Sequence, residues 1–350
     1  MHMADALISP IVGGAMWTAT VAVAAYSIRK VENDMDEKKI PLMGVMGAFV
    51  FAAQMINFSI PGTGSSGHLG GGLLLAITLG PYAGFLTMAS ILTIQALFFA
   101  DGGLLTLGCN IFNMGFYTCF IAYPFIYKSI MRKGYTKKRI FIGAMIASII
   151  GLQLGAFSVV METVLSGKTE LPFSSFVLLM QPIHFAIGAV EGLVITAVVS
   201  FVFRARPEII ENATIGRPIG NISTTKVIVS LIVMATLVGG VLSWFASANP
   251  DGLEWSMFKT SGQEELVASD SVHKTLGEIQ DKTAFLPGYD FKYTEAGSAE
   301  NTDVKAKSWP SVNAGTSTAG VIGGVLTLIF VSIIGFVLSI VKKKIRINAS

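Results

Sequence analysis

The chain has 350 residues, 52% hydrophobic and only 13% charged, with a mean hydropathy of +0.64. A soluble domain carries about 25% charged residues, so this composition cannot clothe a water-facing surface and reads as an integral membrane protein. The net charge of +3 is too small and too dilute to suggest nucleic acid, and two cysteines make no disulfide framework.

The first ten residues, MHMADALISP, hold no Lys or Arg, whereas a secretory signal opens on a basic segment. We expect this start to be the mature terminus, with Met1 retained because His2 is large. A transmembrane helix needs roughly 20 mostly apolar residues. Spans are predicted at 10–28, 40–58, 69–79, 82–100, 106–127, 140–163, 178–203, 226–246 and 317–341. The third is too short to cross alone and is parted from the fourth by Gly80–Pro81, which suggests a broken or tilted helix.

Charge sets the orientation. The 29–39 loop holds four Lys/Arg and the 128–139 loop six. Arg204, Arg206, Arg217 and Lys226 follow, and the tail after the last span begins KKKIR. Nine spans put all of these on the cytoplasmic face, with the N-terminus outside and the C-terminus inside. His2, His68, Asp101, Lys168 and Glu170 then fall outside, the last two as plain loop charge. Residues 247–314 differ in kind: eleven Asp/Glu against six Lys give −5, the mark of a soluble exterior domain slung between two helices. The module boundary is expected at 217/218. The small-residue ridge Gly143, Ala147, Gly151, Gly155 fits either internal helix packing or a docking face for another membrane subunit; Ala15 and Ala19 repeat the pattern.

The chain has four histidines: His2, His68, His184 and His273. His68 sits in PGTGSSGHLGGG, a glycine loop that exposes backbone amides at a helix start. His2 neighbours the terminal amine. The Met1 amine and the backbone and ring nitrogens of His2 can close two small chelate rings, and His68 can complete a square of nitrogens. That geometry suits Ni(II) or Cu(II); an ordinary solvated terminus is the alternative. Ionisable and polar residues within spans, among them Asn110, Glu162, His184 and Glu191, are candidates for function or for interhelical hydrogen bonds. His184 and Glu191, two turns apart, could line a cavity or orient a ligand loop. Cys109 and Cys119 lie roughly 15 Å apart along one helix, too far to bridge. P-loop, HExxH and GxSxG patterns are absent, so neither ATP hydrolysis nor another catalytic set is expected in the chain.

MHMADALISP, PGTGSSGHLGGG and ALFFADGGLLTLGCNIFNMG together resemble the CbiM/NikM family, the substrate-capture (S) components of energy-coupling factor (ECF) transporters for cobalt and nickel. PDGLEWS at 250–256 and FLPGYDF at 285–291 resemble the CbiN/NikN subunit, so the chain looks like a fused M–N protein. The resemblance implies an all-α polytopic protein of a prokaryotic plasma membrane. A seven-helix metal-binding unit (1–217) would precede a two-helix module (218–350). It implies Ni2+ or Co2+ as cargo, held by Met1, His2 and His68, and no organic cofactor. The implied partners are a CbiQ/NikQ-like coupling subunit, CbiO/NikO-like ATPases and membrane lipid. Asp5 matches a commonly acidic position that would hold the N-terminal strand in place, and Asn110 and His184 join it as candidate supporting residues. Cys109 departs from the family's usual small Ala, a packing change. An S component for a vitamin is the alternative function; it would need an aromatic exterior pocket.

Overall fold

The computed structural model describes residues 2–34, 38–167, 172–262, 270–292 and 309–348. Met1, Lys168 and Glu170 lie outside these residues. The chain is helical almost throughout. In order come α1 (Pro10–Asp34), α2 (Lys39–Gln54), a hairpin of β1 (Phe58–Ile60) and β2 (Ser65–Gly67), α3 (Gly72–Leu79) and α4 (Pro81–Phe99). A composite helix follows: α5 (Leu107–Ile111), a wide-turn stretch over Phe112–Tyr127, and α6 (Lys128–Met131). Then come α7 (Lys137–Ser166), α8 (Phe173–Ala205), α9 (Pro207–Ile215), α10 (Thr225–Gly240), α11 (Gly252–Ser261), α12 (Ser271–Thr283) and α13 (Ala314–Asn348).

Each predicted apolar span appears as a helix, but their lengths differ from expectation. Among the described residues, five helices are long and apolar enough to cross a bilayer, beginning at Pro10, Pro81, Lys137, Phe173 and Ala314. Helices α2 and α10, with 16 residues each, reach about 24 Å, short of the ~30 Å hydrocarbon core. The span expected over 40–58 ends at Gln54, and 58–60 is strand instead. Hydropathy alone continues through Met55–Ile60, but the chain must turn there to form the hairpin. The span expected from 69 starts only at Gly72 and makes eight residues, about 12 Å. The loop before it therefore dips into the bundle, and His68 with it.

The ridge Gly143–Ala147–Gly151 is buried; Gly143 faces Tyr127 and Met131, and Gly151 faces Thr118 and Ala122. Here the small residues serve internal packing. Ala15 is exposed. Helices α10 and α13 pack on α2, and α13 also meets α4. The described part of 247–314 is not slung free: α11 rests on α8 and α12 on α4, covering the end of the bundle that holds both His2 and His68.

Candidate metal centre

His68 is fixed from within the bundle. Glu191 of α8 accepts hydrogen bonds from the Gly70 N–H at 2.6 Å and the Gly71 N–H at 3.1 Å. Gln54 of α2 donates to the Gly70 carbonyl at 2.7 Å and is itself bonded by Gln95 of α4 at 2.9 Å. Two buried side chains on two helices thus satisfy the backbone of one loop, with a third, Gln95, holding Gln54 in place, as an irregular segment at this depth demands. Glycine is required locally. Gly71 has φ +81°, and a Cβ on Gly72 would lie 2.5 Å from the Met114 carbonyl oxygen. The His68 ring is buried, and its Nδ1–H donates to the Leu69 carbonyl at 3.0 Å, which puts the lone pair on Nε2. Burial, with His2 beside it, pushes its pKa down to about 3. The ring is neutral at pH 7, the state a metal needs.

His2 is held differently. The segment Met3–Ile8 is not a strand: Asp5–Leu7 makes one 3-10 turn, and Met3 is held by two side chains and by the Gly103 N–H, which donates to its carbonyl at 3.0 Å. Asn110 grips the Met3 backbone twice, accepting from its N–H at 2.9 Å and donating to its carbonyl at 3.3 Å. Thr106 donates to the same carbonyl at 2.6 Å. Asp5 accepts from the Thr106 N–H at 2.9 Å, tying the turn to the loop before α5. The expected supporting residues Asp5 and Asn110 therefore both touch this segment.

The His2 and His68 rings, 66 residues apart in sequence, stack with centroids 4.9 Å apart and planes 24° apart. His2 Nδ1–H donates to Asp101 at 2.7 Å, and its buried Nε2 has no hydrogen-bond partner among the described residues. Asp101 is aimed by the end of α4. There Ala100 takes the left-handed conformation (φ 52°) and the Asp101 N–H closes back onto the Gln95 carbonyl at 3.1 Å. For a non-glycine residue that conformation costs about 1–2 kcal/mol, strain of the sort that gathers at functional sites. Burial would raise the pKa of Asp101, but the His2 ring and the Tyr289 hydroxyl hold it below the usual carboxylate range.

The C-terminal region completes the surroundings. The Ser66 N–H donates to the Pro250 carbonyl at 2.8 Å and its hydroxyl to the Asn249 carbonyl at 2.8 Å, and Ser66 bridges Asp251 in parallel, so residues 250–251 meet the His68 hairpin in a one-residue bridge. The sequence PDGLE is itself a helix start. Asp251 caps the Leu253 and Glu254 N–H groups, and Glu254 reaches back to the Asp251 N–H, a reciprocal capping box. The Tyr289 hydroxyl donates to Asp101, with its ring stacked on Phe99 at 5.1 Å. Gln280 donates to the Ala96 and Gly102 carbonyls. His273 Nε2 lies 2.8 Å and 2.9 Å from the Asp5 and Ile8 carbonyls, while its Nδ1 meets Asp270 at 2.6 Å.

His184 stands apart from this set. It is buried in α8, its Nδ1–H donates to the Met180 carbonyl at 2.8 Å, and a Cβ on Gly252 would come within 3.7 Å of its ring. It supports the PDGLE turn from below. Cys109 and Cys119 are both buried and unbridged. Among the described residues no three His, Cys, Asp or Glu side chains converge as a complete ligand set. His2 and His68 alone leave donors to be supplied by something else, such as backbone and terminal nitrogens.

Residues 2–209 match the family model described as the cobalt uptake substrate-specific transmembrane region, CbiM. The chain belongs to the CbiM family. Residues 225–340 match the PDGLE domain, so this CbiM-family chain carries that domain behind its transmembrane region. Among its relatives is a protein of Archaeoglobus fulgidus provisionally named as a fused nickel transport protein NikMN. It is 38% identical over 211 residues, 60% of this chain and 68% of the relative. The fused nickel transport protein NikMN of Rhodobacter capsulatus is 30% identical over 60% of this chain and 64% of its own length. The cobalt transport protein CbiM of Sorangium cellulosum is 28% identical over 62% and 97%. A crystal structure of a truncated transition metal transporter matches with a TM-score of 0.53 at 30% identity, over 59% of this chain and 99% of that one.

Proposed function

We propose that this CbiM-family chain captures Ni2+ or Co2+ from outside a prokaryotic cell and presents it for import as the S component of an ECF-type transporter. ATP hydrolysis falls to partner ATPases working through a coupling subunit. The observation that carries this is the stacked His2–His68 pair, which brings the scarce histidines together in a buried, acid-flanked site. Metal transport by the named relatives supports the cargo. In the preferred reading the ion is held in a plane by the Met1 amine, the His2 backbone and Nδ1 nitrogens, and His68 Nε2. Forming that chelate requires the His2 ring to turn about Cβ–Cγ, since Nδ1 faces Asp101 in this structure.

The same hydrogen bond favours a second reading. A ligating histidine commonly donates its other ring N–H to a carboxylate. With Nδ1–H on Asp101, His2 would ligate through Nε2 and need no terminal amine. One experiment separates the two: Ni2+ titration of purified protein with its native start against a form bearing one extra N-terminal residue. The chelate predicts a loss of affinity of about a hundredfold or more. Unchanged affinity removes the chelate in favour of Nε2 ligation, and absence of Ni2+ and Co2+ binding by the native protein removes both.

A further inference from the structure

A cavity of about 440 Å³ opens beside His2, between the N-terminal turn, the loop after α4, and helices α11 and α12. Four carboxylates line it, Asp5, Asp101, Asp251 and Glu254, against two histidines, His2 and His273, and no Lys or Arg among the described residues does. His2 forms part of its wall: the side chain is 6% exposed, and its Nε2 has no hydrogen-bond partner among the described residues. Two of the carboxylates belong to the bundle side of the chain and two to the PDGLE capping box. The volume is informative. Six waters at about 30 Å³ each take about 180 Å³, so a fully hydrated divalent cation fits with room to turn. The carboxylates make no direct ligand cluster, so an ion there would keep its water.

Resting on the capture reading above, we infer that this chamber is an outer-sphere docking site for a hydrated divalent cation, built jointly by the two family regions, from which the ion passes to His2 and His68. Fixed charge of one sign in a walled cleft raises the local concentration of a counter-ion and its association rate, and salt weakens the effect. Glu254 carries the test. It touches neither His2 nor His68 in the described contacts, and glutamine serves a capping box as well as glutamate does, so Glu254→Gln removes charge while keeping the helix start.

The experiment is stopped-flow Ni2+ binding by the full chain across ionic strengths, for Glu254, Glu254→Gln and Glu254→Lys, with melting curves to confirm folding. At low salt the association rate should fall about three- to fivefold for Gln and further for Lys. The salt dependence should flatten in the same order, and the dissociation rate should stay constant. Association rates and salt slopes equal to the parent's overturn the chamber while leaving the capture site standing. A change confined to dissociation also overturns it, because Glu254 would then act on the bound ion. If the parent binds no Ni2+, the capture reading falls and the chamber with it.

Discussion

The two histidines of the site are held by opposite kinds of structure. His68 rides on a loop whose backbone is pinned by Glu191 and Gln54 from inside the bundle, Gln54 being held in turn by Gln95. His2 rides on a segment held partly by Thr106 and Asn110 of the bundle and partly by His273 of the C-terminal region. One histidine is built into the bundle and the other is fastened both from the bundle and from the C-terminal region. If the two capture an ion as proposed, the wall fastened in part from the C-terminal region is the one that can open at lower cost.

The largest test of this contrast is His68→Ala against His184→Ala. Removing a ligand from the fixed wall should lower Ni2+ affinity by about a hundredfold or more by isothermal titration, beyond the 10–100-fold of a supporting residue. His184, bonded to Met180, should change it by about threefold or less; the reverse ranking would mean that the wrong pocket has been identified. Next comes Glu191→Ala. It strands two buried N–H groups that now share one carboxyl group, at about 1–3 kcal/mol for each donor left unsatisfied. A lower melting temperature and a 10–100-fold weaker site are expected, with Glu191→Gln intermediate. A stable variant that binds normally would show that the loop holds itself. The smallest effect belongs to His273→Ala. Hydrogen exchange over residues 3–8 should quicken and Ni2+ dissociation rise severalfold, with little change in melting. Equal exchange in both proteins would make the outer fastening dispensable.

Much of this was legible in the sequence. The apolar runs, the scarcity of histidine and the lopsided basic loops led to the helices and to His2 with His68, because hydropathy and charge leave periodic or countable marks. The hairpin at 58–67 was hidden inside an apolar run, since Met55–Ile60 reads equally as the end of a helix or as strand. Asp101 and Glu191 were harder as partners. Glu191 meets Gly70 across 121 residues, and a hydrogen bond of that span has no spacing to read; only Glu191's presence in an apolar helix signalled it. Asp101 had one local cue, a lone acid in the turn after α4. The D-x-x-E pattern at 251–254 was a capping box in plain view. His184, on the same helix as Glu191, sits beneath Gly252 of the PDGLE turn, a placement that no spacing in the sequence announces.

The bridge at Ser66 joins the two regions through the Ser66 N–H and hydroxyl, which donate to the Pro250 and Asn249 carbonyls, much as a peptide is added to an exposed sheet edge. On the C-terminal side the acceptors are backbone carbonyls, so residues 249 and 250 can change side chain there without losing these bonds. Such a seam also does not require a peptide bond between the two regions. The 216–224 stretch between α9 and α10 links the two regions in one chain, which raises their effective concentration and fixes a one-to-one ratio, while the seam itself would serve equally well for a module arriving as a separate polypeptide.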